Sequence, residues 1–362
     1  MNKFVFANQL RGVAALLVLA SHWFGVFWGM REPVAEYIAA PVMEGVSSRV
    51  YDWVSWFSPT LQLGPLGVAI FFLISGFVIP LSLEKMRVRE FLIARFFRIF
   101  PTYWVCLSIG ILVVFFSSRY WGKAIFWNEK TLLTNLFFVN ELFGETSIDM
   151  VNWTLSIELK FYLLVALLAA GLRQGKVFGI FVYSILALLF NWNLPHINAL
   201  INVPSVSVAL QGLSTQLFYI QLMFVGSFFS FAVQGKMSNP KLLICSLTQL
   251  GIFGLTWQHS LLAAQFPDVT LNYIFGFCLF ACAYIFRHQF KANRVLDFLA
   301  DLSFPLYLMH ALTGYVLITV LLHLGLYYPL VILLASSVVG VLTYGMHRFV
   351  ELPSNRFGKR LS

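Results

Sequence analysis

The chain has 362 residues, of which 59% are hydrophobic and only 11% charged. A soluble domain carries about 25% charged residues, so this composition excludes a soluble enzyme and implies a protein embedded in a bilayer. The net charge of +9 would suggest nucleic acid in a soluble chain, but membrane topology accounts for it here, and no nucleic-acid partner is expected.

Taken in order, the apolar runs are 4–28, 63–83, 98–118, 151–171, 177–193, 212–234, 241–260, 269–287, 300–323 and 327–348. Each reaches or nearly reaches the about 20 residues that cross a bilayer. The expected fold is therefore all-α and polytopic, with about ten transmembrane helices in a single domain over residues 1–362. The first run lacks a small-residue cleavage site and reads as a retained helix. Residues 177–235 contain no Asp, Glu, Lys or Arg. They are divided at NWNLPHINALINVPS, whose Asn and Pro residues are expected to break a helix. Residues 302–347 are similarly uncharged and are divided at HLGLYYP.

Basic loop residues set the orientation. With the N-terminus in the cytoplasm, most of the 24 Lys and Arg fall in cytoplasmic segments. Only Arg31, Arg49, Arg119, Lys123 and Lys130 fall in outer segments, which predicts N-in and C-in. The four cysteines have neither the spacing of a disulfide framework nor that of a zinc site, and no metal is expected. The outer segments 29–62 and 119–150 are long enough to cover a site that opens outward.

The first run carries Arg11 and His22, eleven residues apart. At roughly 100° per residue they leave one face of a helix, about 16 Å apart along it. An ionisable group inside a membrane marks a functional pathway by default, although a lone arginine also snorkels to headgroups. His22 lies roughly 9 Å from the outer end of its span, and Glu158, counted from Asn152, lies at about the same depth. A carboxylate on the far imidazole nitrogen would fix the tautomer and raise the basicity of His22. A salt bridge from Glu158 to Arg11 or Lys160 is the alternative. His310 sits mid-span in DLSFPLYLMHALTGYVL, just after Pro305, where it either serves a site or bonds a neighbouring helix. Arg87, Arg89, Arg95 and Arg98 gather at one helix entry, and MHRFVELPSNRFGKR brings Arg348 and Glu351 to the same side. Arginine forks suit phosphate, while topology and anionic lipid alone also produce such clusters.

These residues resemble the acyltransferase-3 family of membrane acyltransferases, which O-acetylate bacterial surface polysaccharides. The resemblance rests on QLRGVAALLVLASH, with its Arg-x10-His spacing, and on FFLISGFVI, RFFRIFPTYWV, WTLSIELKFYLL, SFPLYLMH and HRFVELP, in this order over almost the whole chain. Asn8-Gln9 stand where the family commonly has an acidic residue and a glycine. The resemblance implies a multi-pass protein of the bacterial cytoplasmic (inner) membrane. It implies no bound cofactor, and acetyl-CoA or another acyl-CoA as co-substrate. It implies Arg11, Arg95, Arg98, Arg348 and His310 as donor-binding residues. His22, oriented by Glu158, would be the general base on a hydroxyl of a lipid-linked or nascent polysaccharide. A proton-coupled transporter or flippase of a polysaccharide precursor or small anion is the competing class, since buried Arg, His and Glu suit a carrier as well.

Overall fold

The structure is a computed structural model that describes residues 4–44, 61–267 and 269–362. Lys3 and Arg49, counted among the loop cations, lie outside the described residues. Among those described, the regular structure is helical and contains no strand. The helices are α1 (Val5–Gly29), α2 (Leu63–Leu83), α3 (Val88–Trp121), α4 (Trp153–Leu167), α5 (Phe178–Ile201), α6 (Pro204–Val233), α7 (Asn239–Gln258), α8 (Val269–Ile285), α9 (Arg294–Met309), α10 (Leu312–His323), α11 (Tyr328–Met346) and α12 (Leu352–Leu361). Shorter pieces cover Arg31–Tyr37, Glu129–Leu136 and Asn140–Phe143.

Helix lies in every one of the ten apolar runs. By length and apolarity, however, six described helices can cross a membrane, and the bent pair α9–α10 makes a seventh. The three that fall short are α4 with 15 residues, α8 with 17, and α7, which is less apolar. The chain is thus a multi-pass, all-helical membrane protein.

The core is α2 and α6 crossing face to face, with α1 and α8 also against α2. The crossing is close because of two glycines. A Cβ on Gly76 would run into the Met223 carbonyl, and one on Gly226 into the Leu73 carbonyl. Ser227 Oγ donates to the Gly76 carbonyl at 3.1 Å. Small residues and interhelical hydrogen bonds of this kind hold helices together in lipid, where burial of apolar surface drives little association.

Three boundaries differ from the sequence expectation. The Asn- and Pro-rich stretch 191–205 does divide two helices, but later than its first Asn and Pro: α5 runs through Pro195 to Ile201 and ends at Asn202, which takes a left-handed φ of 46°. Asn191 Nδ2 donates to the Ala187 carbonyl at 3.0 Å, and Asn193 Nδ2 to Leu189 at 2.8 Å. These amides bond back within their own helix, and with no water to take a freed backbone group helix is the cheapest state. The next helix begins at Pro204, where the missing N–H costs nothing. Second, α3 begins at Val88, ten residues before the apolar run, because Glu90 caps the Arg87 N–H at 2.9 Å. Third, the span over 300–323 is broken: α9 and α10 meet at 71°, with His310 and Ala311 at the joint. Trp23 Nε1 donates to the freed His310 carbonyl at 2.9 Å. The division at HLGLYYP lies between α10 and α11, where Gly325 has φ +77°.

Candidate active site

Two chambers lie inside the bundle and share Val68 and Tyr307 in their walls. The first, of about 780 Å³, draws Arg11 from α1, Ser75 from α2, Arg95 and Arg98 from α3, and Glu158 and Tyr162 from α4. Arg95 and Arg98 are three apart and so share a helix face, as do Glu158 and Tyr162 four apart. Glu158 Oε1 accepts from Tyr162 Oη at 2.5 Å and from Ser75 Oγ at 3.1 Å. The Arg95 guanidinium lies over the rings of Phe91 and Tyr162, at 5.3 and 5.5 Å, and its buried Nε has no partner. Arg98 Nη1 meets Glu351 Oε1 at 3.5 Å and its guanidinium covers Phe304 at 5.7 Å. Glu351 is 4% exposed, and its other oxygen takes His347 Nδ1 at 2.7 Å.

Asn8 and Gln9 give Arg11 no carboxylate. Asn8 donates to Asp297 at 3.1 Å and Gln9 to the Lys291 carbonyl at 2.8 Å, so both fasten α1 to the entry of α9. Among the described residues Arg11 has no ion-pair partner. Three guanidinium groups therefore face one carboxylate across the chamber, with Glu351 behind Arg98. Such a surplus of planar cation suits a phosphate-bearing anion.

The second chamber, about 2070 Å³ and partly open, is lined by His22. A π-helical turn over Ser21–Val26 carries this histidine. Such turns are rare and recur at functional sites because they re-aim a side chain without ending the helix. His22 Nδ1 lies 2.5 Å from Tyr315 Oη, and its ring meets His310 edge-on at 4.8 Å. Tyr315 is wholly buried. His310 Nδ1 donates to the Leu306 carbonyl at 3.1 Å, so its bare nitrogen is Nε2, which is buried without a partner. Arg11 lines the first chamber and His22 the second.

Three expected placements differ in the structure. Glu158 does not orient His22; it bonds Ser75 and Tyr162 in the arginine chamber, and Tyr315 takes the His22 nitrogen instead. The depth count had placed Asn152 at the membrane surface. The segment before α4 is itself buried in the protein, with Ile148, Val151 and Asn152 all buried. Arg348 is exposed and lines neither chamber; the π-helical turn at His347–Glu351 turns Glu351 inward in its place. His310 lies beside His22 and does not line the arginine chamber. Of the residues missed, Ser75, Tyr162 and Tyr315 are neutral and sit in apolar runs, where nothing marks a hydroxyl as more than a packing group.

Comparison with known proteins places this geometry. Residues 4–346 match the family described as "Acyltransferase domain". Exopolysaccharide production protein ExoZ of Rhizobium meliloti is 26% identical over 323 residues, covering 82% of this chain and 91% of its own length. Nodulation protein 10 of Rhizobium leguminosarum bv. viciae is 28% identical over 172 residues, and the match covers 39% of this chain and 45% of that relative, less than half its length. No solved structure matches the chain. With nearly its whole length matched, the chain belongs to the acyltransferase-3 family of membrane acyltransferases.

Proposed function

We propose that the protein is an O-acetyltransferase that moves the acetyl group of acetyl-CoA, or a related acyl group, to a hydroxyl of an exopolysaccharide sugar. The observation that carries this reading is the pair of chambers meeting at Val68 and Tyr307, one with three arginines and the other with a histidine. The acyl-CoA phosphates lie against Arg95, Arg98 and Arg11, and Glu158 with Tyr162 and Ser75 holds that cluster in place. The thioester end reaches past Val68 and Tyr307 toward His22.

Chemistry follows from the one ring nitrogen left to His22. With Nδ1–H donated to Tyr315 Oη, Nε2 takes the proton of the acceptor hydroxyl. The hydroxyl oxygen attacks the thioester carbonyl carbon, the C–S bond breaks, and the leaving thiolate takes the proton from His22. The ester stays on the sugar and free CoA leaves.

The donor is made in the cytoplasm, so the arginine chamber faces that side. Both termini then lie in the cytoplasm, the ten helical runs all cross the bacterial inner membrane, and the His22 chamber opens outward onto a lipid-linked or nascent glycan. ExoZ carries exopolysaccharide production in its name, which supports a glycan acceptor. Mass spectrometry of surface glycans from cells with and without the gene tests the reading. Loss of a 42-dalton-type acetyl increment, or of another acyl group, is expected; identical glycans would contradict it.

A further inference from the structure

The His22 chamber has a wall that the acyl-transfer reading leaves unused. Trp153, Tyr219, Trp257 and Tyr273 stand together on it, with Trp153 and Tyr219 centred 5.3 Å apart, Tyr219 and Tyr273 5.8 Å, and Trp257 and Tyr273 6.0 Å. Two hydrogen-bond donors on this wall have no partner. Gln216 is 2% exposed; its Oε1 lies 3.1 Å from Ser156 Oγ and its Nε2 is unpaired. The Trp257 indole N–H is likewise buried and unpaired. A buried donor left without an acceptor costs about 1–3 kcal/mol, so an external acceptor has something to restore. Glu141 adds an acceptor from the short helix Asn140–Phe143. Among the described residues lining the chamber there is no Lys or Arg.

A pyranose has one apolar C–H face and a rim of hydroxyls. Ring faces take the first, and directional donors and acceptors take the second. A lipid tail would satisfy neither Gln216 nor Trp257, and a uronate or phosphosugar would meet Glu141 in a chamber whose described lining offers no cation of its own, Lys160 acting on Glu141 from outside that lining. We propose that this wall is the acceptor subsite and that it holds an uncharged pyranose, with its ring on Trp153, Tyr219 and Tyr273 and its hydroxyls on Gln216, Trp257 and Glu141. The proposal rests on the acyltransferase reading for its meaning, but binding can be measured without turnover.

The test is saturation-transfer NMR on the full chain in lipid nanodiscs. The probes are the methyl pyranosides of glucose, galactose, mannose and N-acetylglucosamine at millimolar concentration, with methyl glucuronoside as the charged counterpart. At least one neutral probe should receive saturation on its ring C–H protons, while the glucuronoside receives little. Trp257→Phe keeps the ring and removes the N–H, and Gln216→Met keeps the length and removes the amide; each should weaken that probe's binding about 5–10-fold, the loss of one hydrogen bond. Glu141→Gln should admit the glucuronoside. The proposal is overturned if no neutral probe binds, if the glucuronoside binds as well as the best of them, if both variants bind normally, or if the probes only compete with lipid. His22→Ala should bind the probe normally and fail in transfer. Intact binding with no transfer in wild-type protein would instead sink the acyltransferase reading and leave the sugar site standing.

Discussion

His22 spends one ring nitrogen on Tyr315, which under the proposed function leaves the other for chemistry. Tyr315→Phe removes only the oxygen, so the histidine stays but loses its fixed tautomer. We expect kcat to fall about tenfold, near 1.4 kcal/mol, with the acyl-CoA KM unchanged and the protein folded; steady-state kinetics on purified protein decides it, and an unchanged kcat would remove Tyr315 from the account. The arginines separate by what stands behind them. Arg95 has a free Nε, lies over the rings of Phe91 and Tyr162 and makes no ion pair among the described residues, so Arg95→Ala should raise the acyl-CoA KM with little change in melting temperature. Arg98 also covers Glu351, so Arg98→Ala should raise the KM and cost about 1–3 kcal/mol of stability as well. Normal donor KM in both variants would reduce the cluster to a topology signal. At this scale the sequence draws the eye to charged residues and passes over neutral ones. Arg11, His22 and Glu158 stand out because a charge in an apolar run needs a reason. Tyr315 and Ser75 need none until their partners are seen.

Elements were legible where their pattern is one of apolar length, and misread where a polar residue serves its own helix. Asn191 and Asn193 look like breakers but cap carbonyls four residues back. Neither π-helical turn is visible in sequence, because a one-residue insertion into a helix leaves the apolar pattern almost intact, yet the two turns aim His22 and Glu351. The pairing of helices also depends on backbone contact. Gly76→Val should abolish a monodisperse folded peak in size exclusion, because its side chain meets the Met223 carbonyl, whereas Gly345→Ala, with open space around it, should be neutral. Equal behaviour of the two would argue against the α2–α6 crossing. The loop before α4 carries its own test. Burial pushes the Asp149 carboxyl up to about 7 from its ordinary 3.8. The folded state then holds a proton that the unfolded state has lost between about pH 4 and 7, so stability falls as pH rises through that window. Asp149→Asn should flatten that slope in melting curves taken across it; an unchanged slope would mean that the carboxyl is solvated.

For the whole molecule the argument is about sides. Under the proposed function, two chambers that share Val68 and Tyr307 in their walls let a cytoplasmic donor and an outer acceptor share a histidine without either crossing the membrane. That arrangement demands that the arginine end and the His22 end face opposite compartments. In a chain with its four cysteines replaced, Lys123→Cys and Lys359→Cys should label from opposite sides of the membrane, and labelling from one side would break the scheme. Composition alone marks ten apolar runs, of which six or seven are long and apolar enough to cross a membrane among the described residues. Which runs meet could not be read, because 177–235 and 302–347 carry no charge by which to register one helix against another. Nor does the sequence show that the segment before α4 is buried in the protein. The most direct measurement is single-turnover acetyl transfer from acetyl-CoA to surface glycan by the purified protein in lipid, wild type against His22→Ala, with donor binding measured on the same samples. The account predicts that the variant binds acetyl-CoA normally and transfers about 10²–10⁴-fold more slowly; transfer at a near-normal rate would contradict it.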